Sequence, residues 1–307
     1  MKRILVPLDG SKLSEEALAP ALSLAGRHGA AVELVRAVPD LAHKPGAEGA
    51  VTFASWIAEE EARGREYLDG VRKGLAARPG VTVSTHVLTC IGLVAESILE
   101  LADKREVDLV VLTTHGRGRW DRLWLGSVAD RMLRTAKQPL LLLRSPDEGT
   151  VAFPASGSPK HVLVPLDGTR EAEAVLDLLG DICDPASSRI TLVSVLPHFA
   201  ALVTPYPPET LMEVGTDPER AGRLDAYLKE VQVRLRKGWT GPVERRVVRD
   251  DDVARSLLAI VESEGVDLIA LSAHGRQGLD RLMLGSVVDK LIRGSRTAIL
   301  TVRRAQS

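Results

Sequence analysis

The sequence predicts an α/β protein of two tandem domains, each a five-stranded parallel sheet of order 3-2-1-4-5 flanked by helices. Three observations carry this. First, the chain repeats itself: RILVPLDGS at Arg3–Ser11 returns as HVLVPLDGT at His161–Thr169, an offset of 158, and VDLVVLTTHG at Val107–Gly116 returns as VDLIALSAHG at Val266–Gly275, an offset of 159. An offset that drifts by one residue over most of a domain's length marks duplication of a whole domain. Second, short aliphatic runs alternate with longer helical patterns inside each copy. Third, those runs are apolar at nearly every position, as strands of a parallel sheet covered on both faces must be.

The elements follow in order. In the first copy strands are expected at Arg3–Leu8, Val32–Val38, Val81–Val87, Leu109–Thr113 and Leu140–Leu143. In the second they fall at His161–Leu166, Ile190–Leu196, Val243–Val248, Leu268–Ser272 and Ala298–Val302. The stretch SEEALAPALSLAGRHG after the first strand reads as a helix with Leu18, Leu22 and Ala25 on one face and Gly26 and Gly29 as stop signals. The Pro-, Gly- and Ser-rich stretch SPDEGTVAFPASGSP reads as a linker. The domains are therefore expected at 1–145 and 160–307, joined by 146–159. A doubly wound sheet reverses direction once, and ligands sit at the strands' carboxyl ends beside that switch. Placing the switch between strands one and four brings VPLDG and THG together at one crevice.

Composition removes several classes. The chain has 307 residues, 45% hydrophobic and 26% charged, with a formal net charge of −1, which argues against a basic footprint for nucleic acid or an anionic membrane. No run approaches the ~18 apolar residues of a membrane span, and the N-terminus is too weakly apolar for a signal peptide. Cys90 and Cys183 stand at unmatched repeat positions and form no CxxC, so they suggest neither disulfide framework nor zinc. A cytoplasmic location is expected.

The longest shared stretch, THGRGRWDRLWLGSVAD and AHGRQGLDRLMLGSVVD, carries the chemistry. Gly-Ser-Val reads as a helix start with Ser127 as N-cap and Asp130 three residues on, as in a capping box. Free N–H groups there, with the positive end of the helix dipole, form an anion site. Gly126 and Gly285 let a phosphate approach the backbone, while Gly116 and Gly275 suit a turn after strand four. Arg117, Arg119, Arg122, Arg276 and Arg281 supply positive charge. The plain alternative is that Ser127 and Ser286 only cap helices, with the arginines in solvent. His115 and His274 lack other ligands at metal spacing and read as hydrogen-bonding groups, not metal ligands or general bases. For Asp9 and Asp167 two readings stand: an Asx-turn into the first helix, or a bond to a base or ribose edge. There is no GxxxxGK[ST], no GxGxxG and no nucleophile–base constellation shared by both copies.

On ILVPLDGS, VDLVVLTTHGRG, LGSVADRML and QPLLLLR, and VLVPLDGT, VDLIALSAHGRQG, LGSVVDKLI and AILTVRR, the sequence resembles the universal stress protein family in a tandem form. The resemblance implies a Rossmann-like, adenine nucleotide alpha hydrolase-like fold and a site for ATP, with magnesium held only through the nucleotide phosphates. The nucleotide-binding branch has the pattern G-x2-G-x9-G-[ST], matched at Gly116, Gly126 and Ser127 and at Gly275, Gly285 and Ser286. By that resemblance Pro7, Asp9, Ala37 and Leu112, and Pro165, Asp167, Val195 and Leu271, would hold the adenosine. His115, Gly116, Gly126, Ser127 and Val128, and His274, Gly275, Gly285, Ser286 and Val287, would surround the phosphates, and the loop charges Arg117 and Arg276 are counted with them as nucleotide-binding residues.

One departure is that the first motif glycine is Thr113 in one copy and Ser272 in the other. A left-handed backbone there would cost about 1–2 kcal/mol, though a small hydroxyl could donate to a ligand oxygen. A second is DDDVAR at Asp250–Arg255 against CIGLVAE at Cys90–Glu96, whose three acids would disfavour an anion at the second site.

The function expected is that of a nucleotide-binding stress-response sensor or regulator, with at most slow hydrolysis. The alternative is a structural or partner-binding pseudo-dimer without nucleotide. Proteins of the resembled family commonly dimerise through the fifth strand, so an intramolecular pseudo-dimer is expected, with antiparallel contact of Leu140–Leu143 and Ile299–Val302 and with Trp120, Trp124, Leu279 and Met283 nearby. A further homodimer is compatible with it.

Overall fold

The computed structural model describes residues 1–39, 50–75, 80–90, 92–114, 125–144, 153–154, 157–197, 217–273 and 285–303. The chain divides into two compact units, with the principal boundary at Gly157–Ser158. Gly157 has φ +70, and a Cβ there would lie 2.9 Å from the Ser23 side chain, so only glycine fits.

The first unit carries β1 (Arg3–Pro7), β2 (Ala31–Pro39), β3 (Val83–Cys90), β4 (Leu109–Thr113) and β5 (Leu140–Leu143). Its helices are α1 (Lys12–Glu15), α2 (Leu18–His28), α3 (Ala50–Leu75), α4 (Val94–Lys104) and α5 (Ser127–Thr135). The second has β6 (His161–Pro165), β7 (Arg189–Leu196), β8 (Val243–Arg249), β9 (Leu268–Ser272) and β10 (Ala298–Val302). A 3₁₀ turn at Ala172–Val175 precedes α6 (Leu176–Ile182), and α7 (Asp217–Leu235), α8 (Val253–Glu264) and α9 (Ser286–Gly294) follow.

All pairings within each unit are parallel, and the order is β3-β2-β1-β4-β5 in the first and, reversed, β10-β9-β6-β7-β8 in the second. Both are the 3-2-1-4-5 arrangement. Central strands are buried along their length: Ile4, Leu5, Val6, Leu109, Val110 and Val111 in one unit and Val162, Leu163, Val164, Leu268, Ile269 and Ala270 in the other are at 0% exposure. Aliphatic burial on both faces of each sheet is the main source of stability, since a Val, Leu or Ile taken out of water contributes about 1.5–3 kcal/mol. Right-handed crossovers place the helices before and after the direction switch on opposite faces. Accordingly α4 packs on α5, and α8 on α9.

Three local expectations are corrected. The first helix is two helices, because Pro20 must lie in a first turn, where its missing N–H costs nothing, and a new helix starts at Leu18. Gly26 lies inside α2 and does not stop it; Gly29, with φ 63, is the left-handed C-cap. The third strand runs from Val83 to Cys90, later than Val81–Val87, in unbroken register with Val32–Pro39.

Candidate functional site

At the direction switch β1 lies beside β4, with Ile4 opposite Leu109, and β6 beside β9, with Val162 opposite Leu268. The carboxyl end of β1 is tied to β2 by Leu8 N–H to Val35 O at 2.8 Å, and β6 to β7 by Leu166 N–H to Val193 O at 2.8 Å. Pro7, Ala37, Thr113 and Val128 are half-buried, as are Pro165, Val195, Ser272 and Val287. Leu112 and Leu271 are buried, at 4% and 3% exposure. The strand tips and helix starts named from sequence thus collect at one edge of each unit.

Asp9 and Asp167 both make the Asx-turn. Asp9 Oδ1 accepts from Ser11 N–H at 2.8 Å, and Asp167 Oδ1 accepts from Thr169 N–H at 3.0 Å and from the Thr169 hydroxyl at 2.6 Å. Gly10 and Gly168 then turn the chain with φ 86 and 88. Ser14 adds a brace in the first unit, accepting from Asp9 N–H at 3.3 Å and donating to Ser11 O at 2.8 Å.

The capping-box expectation fails in an informative way. The N-caps of α5 and α9 are Gly126 and Gly285, neither helix has a side-chain cap, and Ser127 and Ser286 stand exposed at the first helical position. Asp130 and Asp289 turn away to Arg134 and Arg293 one helical turn on, at 2.9 and 3.0 Å. The first helical backbone bonds run from Asp130 N–H to Gly126 O and from Asp289 N–H to Gly285 O. The N–H groups of Ser127, Val128 and Ala129, and of Ser286, Val287 and Val288, precede those bonds and point out of the helix start. Among the described residues no side chain caps those N–H groups. Gly126 also donates to Thr114 O at 2.8 Å, and Thr114 donates to Leu143 O at 3.0 Å, so the helix start is pinned to the tips of β4 and β5.

Both glycine caps have φ −58, with ψ 145 and 142, a conformation open to any residue. Their glycines are not required by backbone geometry. The feared left-handed strain at Thr113 and Ser272 is also absent: both end strands, and among the described residues the one non-glycine with positive φ is Glu106. The Ser272 hydroxyl is turned inward, donating to Ala172 O at 3.2 Å.

The acids at Asp250–Asp252 are largely spent on α8. Asp252 accepts from Arg255 N–H at 3.1 Å as its N-cap. Asp250 accepts from the Ser256 hydroxyl, Asp252 N–H and Arg255, which together hold its carboxyl well below the usual range.

His115, Gly116, Arg117, Arg119, Trp120, Arg122 and Trp124, and His274, Gly275, Arg276, Leu279, Arg281 and Met283, lie outside the described residues. Among the described residues no group of three or more His, Cys, Asp or Glu side chains could hold a metal, and no helix is long and apolar enough to cross a membrane. Cys90 and Cys183 are buried free thiols, and burial raises the Cys90 pKa.

One duplicated feature escaped the sequence reading. The Tyr67 hydroxyl donates to Glu15 Oε1 at 2.8 Å, tying α3 to α1 beside the Asp9 turn, and Arg36 stands 5.0 Å above the Tyr67 ring. Tyr227 occupies the matching place on α7 near Glu173, and burial, with the neighbouring carboxylate, pushes both phenols above their ordinary range. The signal was present: of three tyrosines, two lie at matching repeat positions.

Two doubly wound α/β units in one chain, each with a glycine-headed helix at the switch-point edge, define a tandem protein of the crevice-forming α/β class. The chain belongs to the universal stress protein family, whose model matches residues 1–144 and 159–303. It is 37% identical over 147 residues to a universal stress protein of Methanocaldococcus jannaschii, covering 47% of this chain and 83% of that one. A universal stress protein of Mycolicibacterium smegmatis is 27% identical and spans 98% of this chain and 96% of its own length. Among solved structures, a universal stress protein from Archaeoglobus fulgidus superposes with a TM-score of 0.69 at 15% identity, covering 99% of this chain and 98% of that one, a likeness of fold.

Proposed function

We propose that the protein binds ATP or another adenine nucleotide at the strand-tip edge of its units and acts as a stress-response sensor or regulator. The observation that carries the reading is the pair of caps at Gly126 and Gly285. Their backbone does not need glycine, so what the missing side chain provides is access to the N–H groups of the helix start. Phosphates would lie against Gly126, Ser127 and Val128, and against Gly285, Ser286 and Val287, and the family pattern assigns His115 and Gly116, and His274 and Gly275, to the same phosphates, with Arg117 and Arg276 supplying positive charge. Adenosine would sit by Pro7, Asp9, Ala37, Leu112 and Thr113, and by Pro165, Asp167, Val195, Leu271 and Ser272. Magnesium would enter with the phosphates. At most slow hydrolysis is expected, because the shared carboxylates described at the strand tips and helix starts, Asp9 with Asp167 and Asp130 with Asp289, serve a turn or an arginine. A turnover above about one per second would contradict a sensor.

The test is titration calorimetry with ATP. Gly126→Val with Gly285→Val should weaken binding at least tenfold, while unfolding without ligand shifts by less than about 1 kcal/mol, since φ −58 suits valine. Isotherms unchanged from wild type would remove the reading. The competing reading, a scaffold without nucleotide, draws on Asp9 and Asp167 already serving the turn; mass spectrometry of small molecules released on denaturation separates the two. A cytoplasmic location, and pairing of the fifth strands within one chain, belong to the same proposal.

A further inference from the structure

Tyr67 of α3 reaches two elements of the first unit at once. Its hydroxyl donates to Glu15 Oε1 at 2.8 Å, across 52 residues of chain, and its ring centroid lies 5.0 Å from the Arg36 guanidinium, a cation held by the ring face. Each partner stands close to a residue assigned to adenosine. Glu15 follows Ser14, whose hydroxyl accepts from Asp9 N–H at 3.3 Å and donates to Ser11 O at 2.8 Å, while Asp9 Oδ1 accepts from Ser11 N–H at 2.8 Å. Arg36 directly precedes Ala37 on β2. One phenol therefore ties the Asp9 turn to the end of β2.

The base from which Tyr67 reaches is itself fixed. The Thr89 hydroxyl on β3 donates to Glu61 one and a half turns earlier on α3, a Cβ at Gly64 would lie 3.3 Å from the Val87 side chain, and Leu68 is at 0% exposure. The helix that Tyr67 holds is the opposite case: α1 has four residues, too few to keep its own geometry in water. A tie from a packed helix to a four-residue one constrains the smaller element, and with it the Asp9 turn. Burial and the Glu15 carboxylate raise the phenol's pKa, so the hydroxyl stays a donor at neutral pH. We infer that Tyr67 is a positioning residue for nucleotide binding in the first unit, holding the Asp9 turn and the end of β2 at the spacing an adenosine requires. A seat held at the ligand's spacing loses less conformational freedom on binding. The inference rests on the nucleotide reading above. It is confined to the first unit, because in β7 the residue in register with Arg36 is Ser194, whose hydroxyl donates to Leu166 O at 2.7 Å, and Glu173 is held by Arg234.

ATP titrated into the full chain carrying Gly285→Val, a change expected to close the second unit's helix start, reads the first unit. Added to that parent, Tyr67→Phe keeps the ring and removes only the hydroxyl. It should weaken ATP binding at least about threefold, the worth of one hydrogen bond, in a chain still folded by circular dichroism. Inorganic tripolyphosphate, which carries no adenosine, should behave alike in parent and variant; an equal loss for both ligands would mean general damage to the unit and overturn the inference. Glu15→Ala should lose as much ATP affinity as Tyr67→Phe, and Glu15→Gln, which keeps an acceptor oxygen, should recover most of it. Tyr67→Phe combined with Glu15→Ala should be no worse than either alone, because both remove one bond. ATP affinity unchanged by Tyr67→Phe, or losses that add in the double variant, overturns the inference and leaves the nucleotide reading standing. A parent that binds no ATP overturns it as well, and wild type titrated beside it shows whether the nucleotide reading falls too. If Tyr67→Phe does not fold, the Glu15 pair decides: a loss in Glu15→Ala that Glu15→Gln recovers supports the clasp, and equal affinity in both overturns it.

Discussion

Glu33 shows how single residues were hidden from the sequence. It interrupts an apolar strand, is 1% exposed, and takes His86 Nε2 at 2.5 Å and Arg105 Nη2 at 2.8 Å, partners 53 and 72 residues away. No periodicity announces a contact of that span. The equivalent position of β7 is Thr191, which meets His161 Nε2 at 2.8 Å, so the two copies solve one buried polar position with different chemistry. Burial pushes the Glu33 carboxyl up, but the bonds from His86 and Arg105 outweigh it and the net shift is downward from 4.5. A depressed folded pKa means the unfolded chain binds the proton more tightly. Glu33 therefore adds stability that is fully present above its unfolded pKa and is lost as pH falls through the folded one. Replacement by glutamine should cost about 1–3 kcal/mol at neutral pH. In urea unfolding followed from pH 7 downward, the gap between Glu33→Gln and wild type should close in acid; a gap constant with pH would show that the charge is not what matters. The strand tips and helix starts that carry the candidate site were more legible because they sit on local motifs: VPLDG and LGSV mark a strand tip and a helix start within a few residues. What the motif could not show was where each side chain turns, and Ser127, Asp130 and Ser272 all turn elsewhere than expected.

Elements were legible in proportion to their burial. The ten strands expected from sequence are all present among the described residues, and the central ones were clearest, because a strand covered on both faces is apolar at nearly every position. β3 was misplaced by two residues at its start because it is half-exposed and its pattern is weak. Helix ends were less legible, since capping depends on backbone torsion as well as residue type. α8 and α4 occupy equivalent places, yet α8 begins with the Asp252 cap and α4 with Leu93, which is 57% exposed and makes no side-chain cap. Leu93 already has the extended torsion of an N-cap, φ −88 and ψ 122. Leu93→Asp should therefore stabilise the protein by about 0.5–2 kcal/mol, and Asp252→Ala should destabilise it by a similar amount. Thermal or urea unfolding checks both, and an aspartate at 93 that gives no gain would mean that the free N–H groups of α4 are satisfied in another way.

At the scale of the whole molecule, duplication explains why one chain carries two complete cores: each unit has its own five parallel strands and covering helices. Within its own unit, β5 has β4 on one side and β10 has β9, so each is the last strand of its order. An apolar last strand such as LLLL or AILTV is a standing hazard for edge-to-edge association unless another strand or covering element meets it. The proposal that these strands satisfy one another has a consequence that a linker-bound chain conceals. Residues 1–145 and 160–307, produced separately, should fold as α/β units by circular dichroism and, mixed in equal amounts, should form a one-to-one complex of the whole chain's size by analytical ultracentrifugation. Each half alone should self-associate through the same strand. A lysine at Leu142 in the first half tests the strand itself, because it puts a charge into the middle of β5. If that half still folds, it should no longer join its partner. Two halves that stay monomeric when mixed at high concentration would show that the duplication serves the two crevices and not the two edges.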